Sequence, residues 1–306
     1  MRFAIAIPQG VPDGAFDAAA MREYLRRAEE LGFASGWTQQ QILGTAPQLG
    51  PAETLAYAAA CTQHLRLGCA VLVTPLHSPV HLAKSLSTLD QLTGGRLDVG
   101  IGVGGRGREF AAFGLEPDGF VSRFTEGLRL MQKLWSEPRV TFHGRFWQLD
   151  DAAMEPKPVQ RPGPPVWFGG SHPDALQRAV RLGDGFIGAG SVTTEQFASQ
   201  VGTVRRELAA QDRDPASFPI AKRVYVAVDD DAARARQQLG AALDELYGLG
   251  GSRDMTPVTV TGRPADCVRG LREVAAAGAG LILLNPLTDQ AEQMERLAAE
   301  VMPELG

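Results

Sequence analysis

Glu109 is a candidate for acid–base chemistry in this sequence. It lies six residues after Val103, which ends an apolar segment typical of a β-strand. A carboxyl group at a partly closed, apolar site can have a raised pKa and can then act as a general acid or base. The alternative is a surface glutamate that pairs with Arg106 or Arg108, and position alone favours that alternative slightly.

Three consecutive amides, Gln39, Gln40 and Gln41, follow another strand-like segment that ends at Thr38. Amide side chains donate and accept hydrogen bonds, so they could bind the polar edge of a ring. They cannot transfer protons near neutral pH. The alternative is a solvated loop, which these three residues alone favour.

Two glycine-rich segments could surround a ligand. Gly169-Gly170-Ser171-His172-Pro173 comes between a strand-like segment and a helix pattern, where open backbone N–H groups could bind a phosphate. An ordinary strand-to-helix turn is the alternative, and Asp174 would oppose a phosphate there.

The segment from Gly100 to Gly105 fits G-x-G-x-x-G. A dinucleotide site would need a helix that begins at once, followed by an acidic residue after the next strand. Residues 106–119 instead precede the next clear helix pattern. We therefore interpret these glycines, Gly104 among them, as allowing a strand end to approach a flat ligand or to turn sharply.

The sequence predicts no metal site. His77 and His81 are four residues apart, but Pro79 lies between them and the glutamate of an H-E-x-x-H motif is absent. The three cysteines, Cys61, Cys69 and Cys267, match no metal-binding spacing and cannot all pair with one another.

Strand-like segments alternate with helix patterns along the whole chain. The apolar helix positions recur at spacings of three and four residues, as in Met21, Leu25, Ala28 and Leu31. Such alternation predicts a parallel sheet, and eight units predict a closed (β/α)8 barrel, which binds its ligands at the carboxyl ends of the strands. The eight segments are Phe3–Ile7, Ser35–Thr38, Leu65–Val73, Leu97–Val103, Val166–Phe168, Gly185–Ile187, Arg223–Val228 and Leu281–Leu284.

We expect one domain over residues 1–306, since no linker or charge block divides the chain. Two insertions interrupt the barrel pattern. Residues 136–165 precede the fifth strand and contain a predicted hairpin of Val140–Phe142 and Phe146–Leu149. Residues 249–264 form a second irregular stretch, before the last helix and the eighth strand.

Composition excludes several classes of partner. The net charge is −5 with scattered Lys and Arg, so we expect neither nucleic acid nor an anionic membrane surface as a partner. No segment approaches the ~20 apolar residues of a membrane-spanning helix, and the first residues lack a signal-peptide pattern. We expect a cytoplasmic protein that acts on a small molecule.

Several segments together resemble the bacterial luciferase-like monooxygenase superfamily, in its branch of coenzyme F-420-dependent and FMN-dependent oxidoreductases. The resemblance runs almost end to end. It is carried by LGFASGW (31–37), the glycine-rich stretch 65–105, FHGRFWQL (142–149), PKPVQRPGPPVWFGGSHPDAL (156–176) and RLGDGFIGAG (181–190).

The resemblance implies a barrel that binds F-420 or FMN at the strand carboxyl ends and commonly forms dimers. It implies a non-proline cis peptide, matched here to Ala70–Val71, behind the cofactor ring. The amides of Gly169, Gly170 and Ser171, together with the loop that ends at Gly190, would approach the phosphate. Glu109 matches an acidic residue near the ring. Gln40 would be a catalytic hydrogen-bond donor, and Gln41 would contact the cofactor.

The sequence departs from the family at one important point. Many F-420-dependent members carry Asp-His where this chain has Gln40-Gln41. We expect an oxidoreductase that transfers hydride with F-420. The alternatives are an FMN-dependent monooxygenase, which would need a flavin reductase as a partner, and a barrel that binds flavin without turnover.

Overall fold

Eight parallel strands close a barrel in the computed structural model. The structure describes residues 1–11, 14–44, 46–104, 109–116, 118–248, 250, 252 and 254–306, without the side chain of Glu109. The order around the barrel is β1-β2-β3-β4-β7-β8-β9-β11, and β11 pairs with β1 to complete the circle. The described strands are β1 Arg2–Ala6, β2 Ser35–Thr38, β3 Arg66–Val73, β4 Leu97–Gly102, β5 Val140–His143, β6 Gln148–Ala152, β7 Val166–Gly169, β8 Gly185–Gly188, β9 Ile220–Val228, β10 Thr259–Gly262 and β11 Leu281–Asn285. The predicted (β/α)8 barrel is confirmed.

Helices alternate with these strands. The described α-helices are α1 Ala18–Glu30, α2 Pro51–Cys61, α3 Pro79–Leu92, α4 Glu109–Ala112, α5 Phe120–Ser136, α6 Pro173–Leu182, α7 Thr194–Ala210, α8 Ala232–Tyr247, α9 Pro264–Ala276 and α10 Gln290–Arg296. Short 3-10 turns are Thr74–Leu76, Pro215–Ser217, Thr256–Val258 and Met302–Leu305, and a π-helical turn is Leu297–Val301. The apolar stripes of α5 and α7, which recur at spacings of three and four residues, are buried in full: Phe124, Leu128, Met131, Trp135, Phe197, Val201, Val204 and Leu208.

The core has two layers because barrel strands alternate inward and outward side chains. One layer lies between the outer face of the strands and the helices. The other fills the interior of the barrel, where Trp37 and Trp167 are nearly inaccessible. Large side chains therefore plug the barrel, and a ligand can enter only beyond them.

The insertion before the fifth barrel strand is a hairpin of β5 and β6, but its second strand begins later than predicted. The sequence predicted Phe146–Leu149, whereas the strand is Gln148–Ala152. The carboxylate of Glu126 accepts hydrogen bonds from the backbone N–H groups of Phe146 (2.8 Å) and Trp147 (3.1 Å). A helix side chain thus replaces the partner strand at these two residues.

Two further corrections concern β9 and β10. The sequence predicted that β9 begins at Arg223, but the strand begins at Ile220 and includes the buried Lys222. Residues 259–262, predicted as irregular, form β10, which pairs in parallel with Tyr225–Val228 of β9. Only four residues long and flanked by Pro257 and Pro264, β10 has too little apolar periodicity to be recognised.

Within the described residues, no helix combines the length and apolar character needed to cross a bilayer. In the same part of the chain, no group of three or more His, Cys, Asp or Glu side chains is arranged to hold a metal ion.

Candidate functional site

A cavity of about 600 Å³ opens at the carboxyl ends of β3, β4, β7 and β8, and it also reaches Arg223 of β9. This volume lies within the range of about 300–1,000 Å³ that is usual for small-molecule and cofactor sites. The position is also the one where barrel enzymes bind their ligands. The cavity is therefore the candidate active site.

Three glycines keep one wall of this cavity open. A Cβ atom at Gly102 would lie 2.8 Å from Cγ2 of Val71, and one at Gly169 would lie 2.9 Å from Cγ1 of the same side chain. At Gly104 the φ angle is +80°, and a Cβ atom there would lie 2.6 Å from Cγ1 of Val73. Any side chain at these positions would have to displace a valine, so the glycines allow the strand ends to lie close to Val71 and Val73 in the cavity wall.

Most of the predicted cofactor-binding residues come together here. Ala70, Val71, Gly104, Gly169, Gly170 and Ser171 all line the cavity. The peptide between Ala70 and Val71 is cis, as predicted. Gly190 lies beside the lining rather than in it, and a Cβ atom there would lie 2.9 Å from Nε of Arg223.

Gln40 and Gln41 lie outside this lining. Oε1 of Gln40 accepts a hydrogen bond from the backbone N–H of Val73 (3.2 Å) and lies 3.1 Å from Nε2 of His77. Burial, followed by the proximity of His81, lowers the pKa of His77, so the ring is neutral at pH 7 and its Nε2 can donate to Gln40. The oxygen of Gln40 thus links the loop after β2 to the end of β3 and to His77.

The side chain of Gln41 is described by the structure, whereas that of Glu109, the other predicted residue of this region, is not. The amide of Gln41 packs against Gly44, where an added Cβ atom would collide with it. Glu109 begins α4, and its side chain lies outside the described residues.

The loop from Gly169 to Pro173 supplies one end of the cavity. His172 caps α6, and its Nδ1 accepts a hydrogen bond from the backbone N–H of Asp174 (3.3 Å). Arg178 follows on the same helix and lines the cavity. Burial lowers the pKa of Arg178 but leaves the guanidinium charged, and it forms no ion pair with any described carboxylate. Open glycine backbone, a helix N-terminus and an arginine are a suitable set for an anion.

Arg223 supplies a second positive charge in the lining, close to Ala70 and Val71. Its Nη1 donates to Oε1 of Gln39 and to the carbonyl oxygen of Ala70 (3.4 Å). Its Nη2 donates to the hydroxyl of Tyr225 (3.2 Å), which lies 2.8 Å from the hydroxyl of Tyr247 on α8. A network of neutral groups thus positions this arginine.

Lys222, the neighbour of Arg223, faces away from the cavity and is 2% exposed. Its Nζ donates to three backbone carbonyls, those of Ala189, Val192 (3.1 Å) and Arg223 (3.1 Å). Burial lowers the pKa of Lys222 to about 7. Because two of the carbonyls belong to the loop after β8, this lysine fixes a segment that lines the cavity.

Another cavity, of about 720 Å³, lies outside the barrel between α1 and α10. The ion pair of Arg27 with Glu295 (2.7 Å) connects the two helices there. Side chains rather than glycine backbone line most of it, and it has no part in the site at the barrel mouth.

The sequence profile of the luciferase-like monooxygenase family matches residues 1–300. The chain belongs to that family.

This luciferase-like protein is 34% identical over 180 residues to the FMNH2-dependent dimethylsulfone monooxygenase of Pseudomonas putida, a match that covers 58% of this chain and only 48% of the relative. It thus spans about half the length of that relative. It is 30% identical over 315 residues to the F420-dependent glucose-6-phosphate dehydrogenase of Beutenbergia cavernae, covering 92% of both chains. The crystal structure of monooxygenase RslO1 from Streptomyces bottropensis is 26% identical, with a TM-score of 0.85 and full coverage of both chains.

Neither arginine of this cavity was predicted from the sequence. Arg178 lies five residues after Pro173, so it projects from the second turn of the helix that follows the glycine loop. Arg223 shares the inward face of β9 with Ala221, and its charge within an otherwise apolar barrel strand was the available signal. Both signals require the strand and helix register to be known first.

Proposed function

We propose that this luciferase-like protein is an oxidoreductase that binds a flavin-type cofactor in the barrel-mouth cavity and transfers hydride to or from a small organic substrate. The glycine wall of Gly102, Gly104 and Gly169 is the observation that carries the proposal. An added Cβ atom at each of these positions would collide with Val71 or Val73, so the glycines let the strand ends pack directly against these two valines. The tricyclic ring would lie against the wall that this close packing forms.

The residues of the cavity fit the two parts of such a cofactor. Apolar and glycine groups from β3, β4 and β7 suit the ring. The backbone of Gly170 and Ser171, with Arg178, suits the phosphate. The bound cofactor supplies the hydride chemistry or the reaction with oxygen, while the protein supplies binding, orientation and charge.

Coenzyme F-420 is the first candidate. The support is the match to an F420-dependent glucose-6-phosphate dehydrogenase over 92% of both chains. With F-420, the reaction is a hydride transfer between the ring and an alcohol, aldehyde, ketone or enone.

FMN-dependent monooxygenation is the second candidate. It is favoured by the side chain at position 40, because Gln40 cannot accept or donate a proton and its oxygen is already bonded to Val73. The dimethylsulfone monooxygenase and RslO1 are both monooxygenases by name. We propose a separate flavin reductase as the partner in that case.

Proton transfer is assigned by the proposal to Glu109, and hydrogen bonding to the substrate to Gln40. Among the described residues, Nε2 of Gln40 has no hydrogen-bond partner, so the amide N–H groups are available while the oxygen holds Val73. We also propose that the protein is cytoplasmic and forms a homodimer. Light scattering of the purified protein tests the homodimer through its molar mass.

Cofactor binding tests the proposal. The purified protein is titrated with FMN and with F-420, and quenching of the cofactor fluorescence gives a Kd for each. Micromolar or tighter binding of F-420 with weak FMN binding supports hydride transfer. Tight FMN binding, with oxygen uptake that depends on an added flavin reductase and a substrate, supports monooxygenation. Binding of neither cofactor contradicts the proposal.

A Glu109→Gln variant tests the proton assignment. The amide keeps the size of the side chain but cannot exchange a proton, so kcat should fall by about a hundredfold and one limb of its pH profile should disappear. Unchanged kcat across the profile would remove Glu109 from the mechanism. The cofactor Kd serves as the control for binding.

A further inference from the structure

Arg223 is a cation of the cavity wall that forms no ion pair with a carboxylate of the described residues. Elsewhere in the described chain, half-buried arginines bind carboxylates through two nitrogens at once. Nε and Nη2 of Arg66 donate to the two carboxylate oxygens of Asp98 (2.8 and 2.9 Å), and the same two nitrogens of Arg27 donate to Glu295 (2.7 Å each). The corresponding edge of Arg223 meets only the hydroxyl of Tyr225.

Two of the five N–H donors of this guanidinium have no hydrogen-bond acceptor among the described residues. Arginine has five N–H donors, and the bonds of Arg223 to Gln39, Ala70 and Tyr225 use three. Nε is buried and has no hydrogen-bond partner among the residues that the structure describes. Since an unpaired buried donor costs free energy that a charged acceptor would recover, this edge favours a ligand oxygen.

The surroundings of Arg223 add positive rather than negative charge. Arg178 is the second cation among the described residues that line the cavity. Among the described lining residues the one carboxylate is Asp174, which lies at the helix N-terminus with Arg178. A local excess of positive charge in a chain of net charge −5 is a field that attracts anions.

The cofactor phosphate does not account for this second charge. In the proposed function, the phosphate lies at Gly170, Ser171 and Arg178, whereas Arg223 hydrogen-bonds the carbonyl of Ala70 beside the proposed ring position. An anionic group other than the phosphate would suit that position.

We infer that Arg223 forms an oxyanion subsite for the substrate, next to the cofactor ring, and that the substrate carries an anionic group with two or three oxygens, such as a sulfonate or a carboxylate. Gln39 and the Tyr225–Tyr247 pair hold the guanidinium in place. This inference rests on the proposed function, since the cofactor ring forms the other side of the subsite.

A charge-matched pair of probes tests the inference on the cofactor-loaded protein. Methanesulfonate is the anion and dimethyl sulfone is its neutral isostere. Each is titrated into FMN-loaded or F-420-loaded protein, and the change in cofactor fluorescence or absorbance gives the Kd. The wild-type protein should bind methanesulfonate at least about tenfold more tightly than dimethyl sulfone, because a charge-assisted hydrogen bond distinguishes the two.

The Arg223→Met variant should weaken methanesulfonate binding by about ten- to a hundredfold, while the binding of dimethyl sulfone and of the cofactor changes by less than about threefold. Arg139→Met is the matched control, because that arginine is exposed and pairs with Asp151 on the hairpin. It should leave all three constants unchanged.

Each other result overturns the inference in a distinguishable way. Equal binding of the two probes by the wild-type protein excludes charge recognition even if Arg223→Met does not fold. Unchanged methanesulfonate binding by Arg223→Met, with cofactor binding intact, overturns the subsite alone. Loss of cofactor binding with retained anion binding would assign Arg223 to the cofactor, and a wild-type protein that binds neither cofactor would overturn the proposed function as well.

Discussion

The indole N–H of Trp167 donates to Oδ1 of Asp98 at 3.2 Å inside the barrel, and Arg66 binds the same carboxylate. Asp98 is 6% exposed, so both donors depend on it in a nearly dry environment. The ring of Trp167 also meets that of Trp37 edge to face, with centroids 6.0 Å apart. One carboxylate thus orients the side chains that fill the barrel interior.

The Asp98→Ala variant should therefore be destabilised. Loss of the carboxylate leaves a buried indole N–H without an acceptor and Arg66 without its partner. We expect a decrease of about 2–4 kcal/mol in the free energy of unfolding. This is less than the loss of a fully buried ion pair would cost, because Arg66 keeps contact with solvent. Urea denaturation measures it. Glu23→Ala, which breaks an exposed pair with Arg26, is the control and should have no measurable effect.

Much of this architecture could be predicted from sequence because it depends on local periodicity. The stripes of α5 and α7 and the inward strand segments require only that apolar residues repeat with the period of their element. The glycines of the cavity could be predicted for a similar reason: a run of them directly after a strand has few other uses.

What could not be predicted depends on contacts between distant residues. Lys222 is buried in β9 only because three carbonyls from two segments accept its hydrogen bonds. The delayed start of β6 depends on Glu126, about twenty positions earlier in the chain. The position of Arg223 in the cavity requires the barrel to be closed, because its partners Gln39 and Ala70 come from β2 and β3 or their ends.

The glycine wall predicts a steric effect on cofactor binding. In Gly169→Ala the added methyl group lies too close to Cγ1 of Val71, so the cofactor Kd should rise by at least about tenfold. Adding Val71→Ala removes the colliding methyl group and should recover part of the affinity, a coupling that a double-mutant cycle measures. Gly240→Ala on the exposed face of α8 meets nothing within 4 Å and serves as the control. Additive effects of the two substitutions would contradict the proposed contact.

The position of Arg178 predicts that it contributes to cofactor affinity only when the ligand carries a phosphate. The Arg178→Met variant loses the cation at the α6 end, so its Kd for FMN should rise by about tenfold or more. Riboflavin has the same ring and no phosphate, and its Kd should not change. Fluorescence titration of both ligands against both proteins gives the four constants. An equal loss for riboflavin would place the arginine near the ring instead.

Lys222 predicts a pH dependence of stability. Its pKa is about 7 in the folded protein against an ordinary 10.5, because burial disfavours the ammonium. Between these values the unfolded chain binds more protons than the folded one, so this residue makes the free energy of unfolding rise with pH, by at most about 1.4 kcal/mol per pH unit. Denaturant titrations from pH 6.5 to 9.5 should show this rise in the wild-type protein and a smaller one in Lys222→Met. Parallel curves for the two proteins would mean that the three carbonyls keep the lysine charged throughout.

Gln40 allows its structural and catalytic roles to be separated by one atom. Its oxygen accepts from Val73, whereas its nitrogen is the proposed donor to the substrate. Gln40→Glu keeps an acceptor for Val73 and His77 but removes the N–H groups, so the protein should fold with a nearly unchanged Tm while kcat falls by at least about tenfold. Gln40→Ala loses both atoms and should lower Tm as well as kcat. Thermal melts by circular dichroism and steady-state kinetics on the two variants distinguish the outcomes. Full activity of Gln40→Glu would mean that this side chain only connects the loop after β2 to the end of β3, and that another group donates to the substrate.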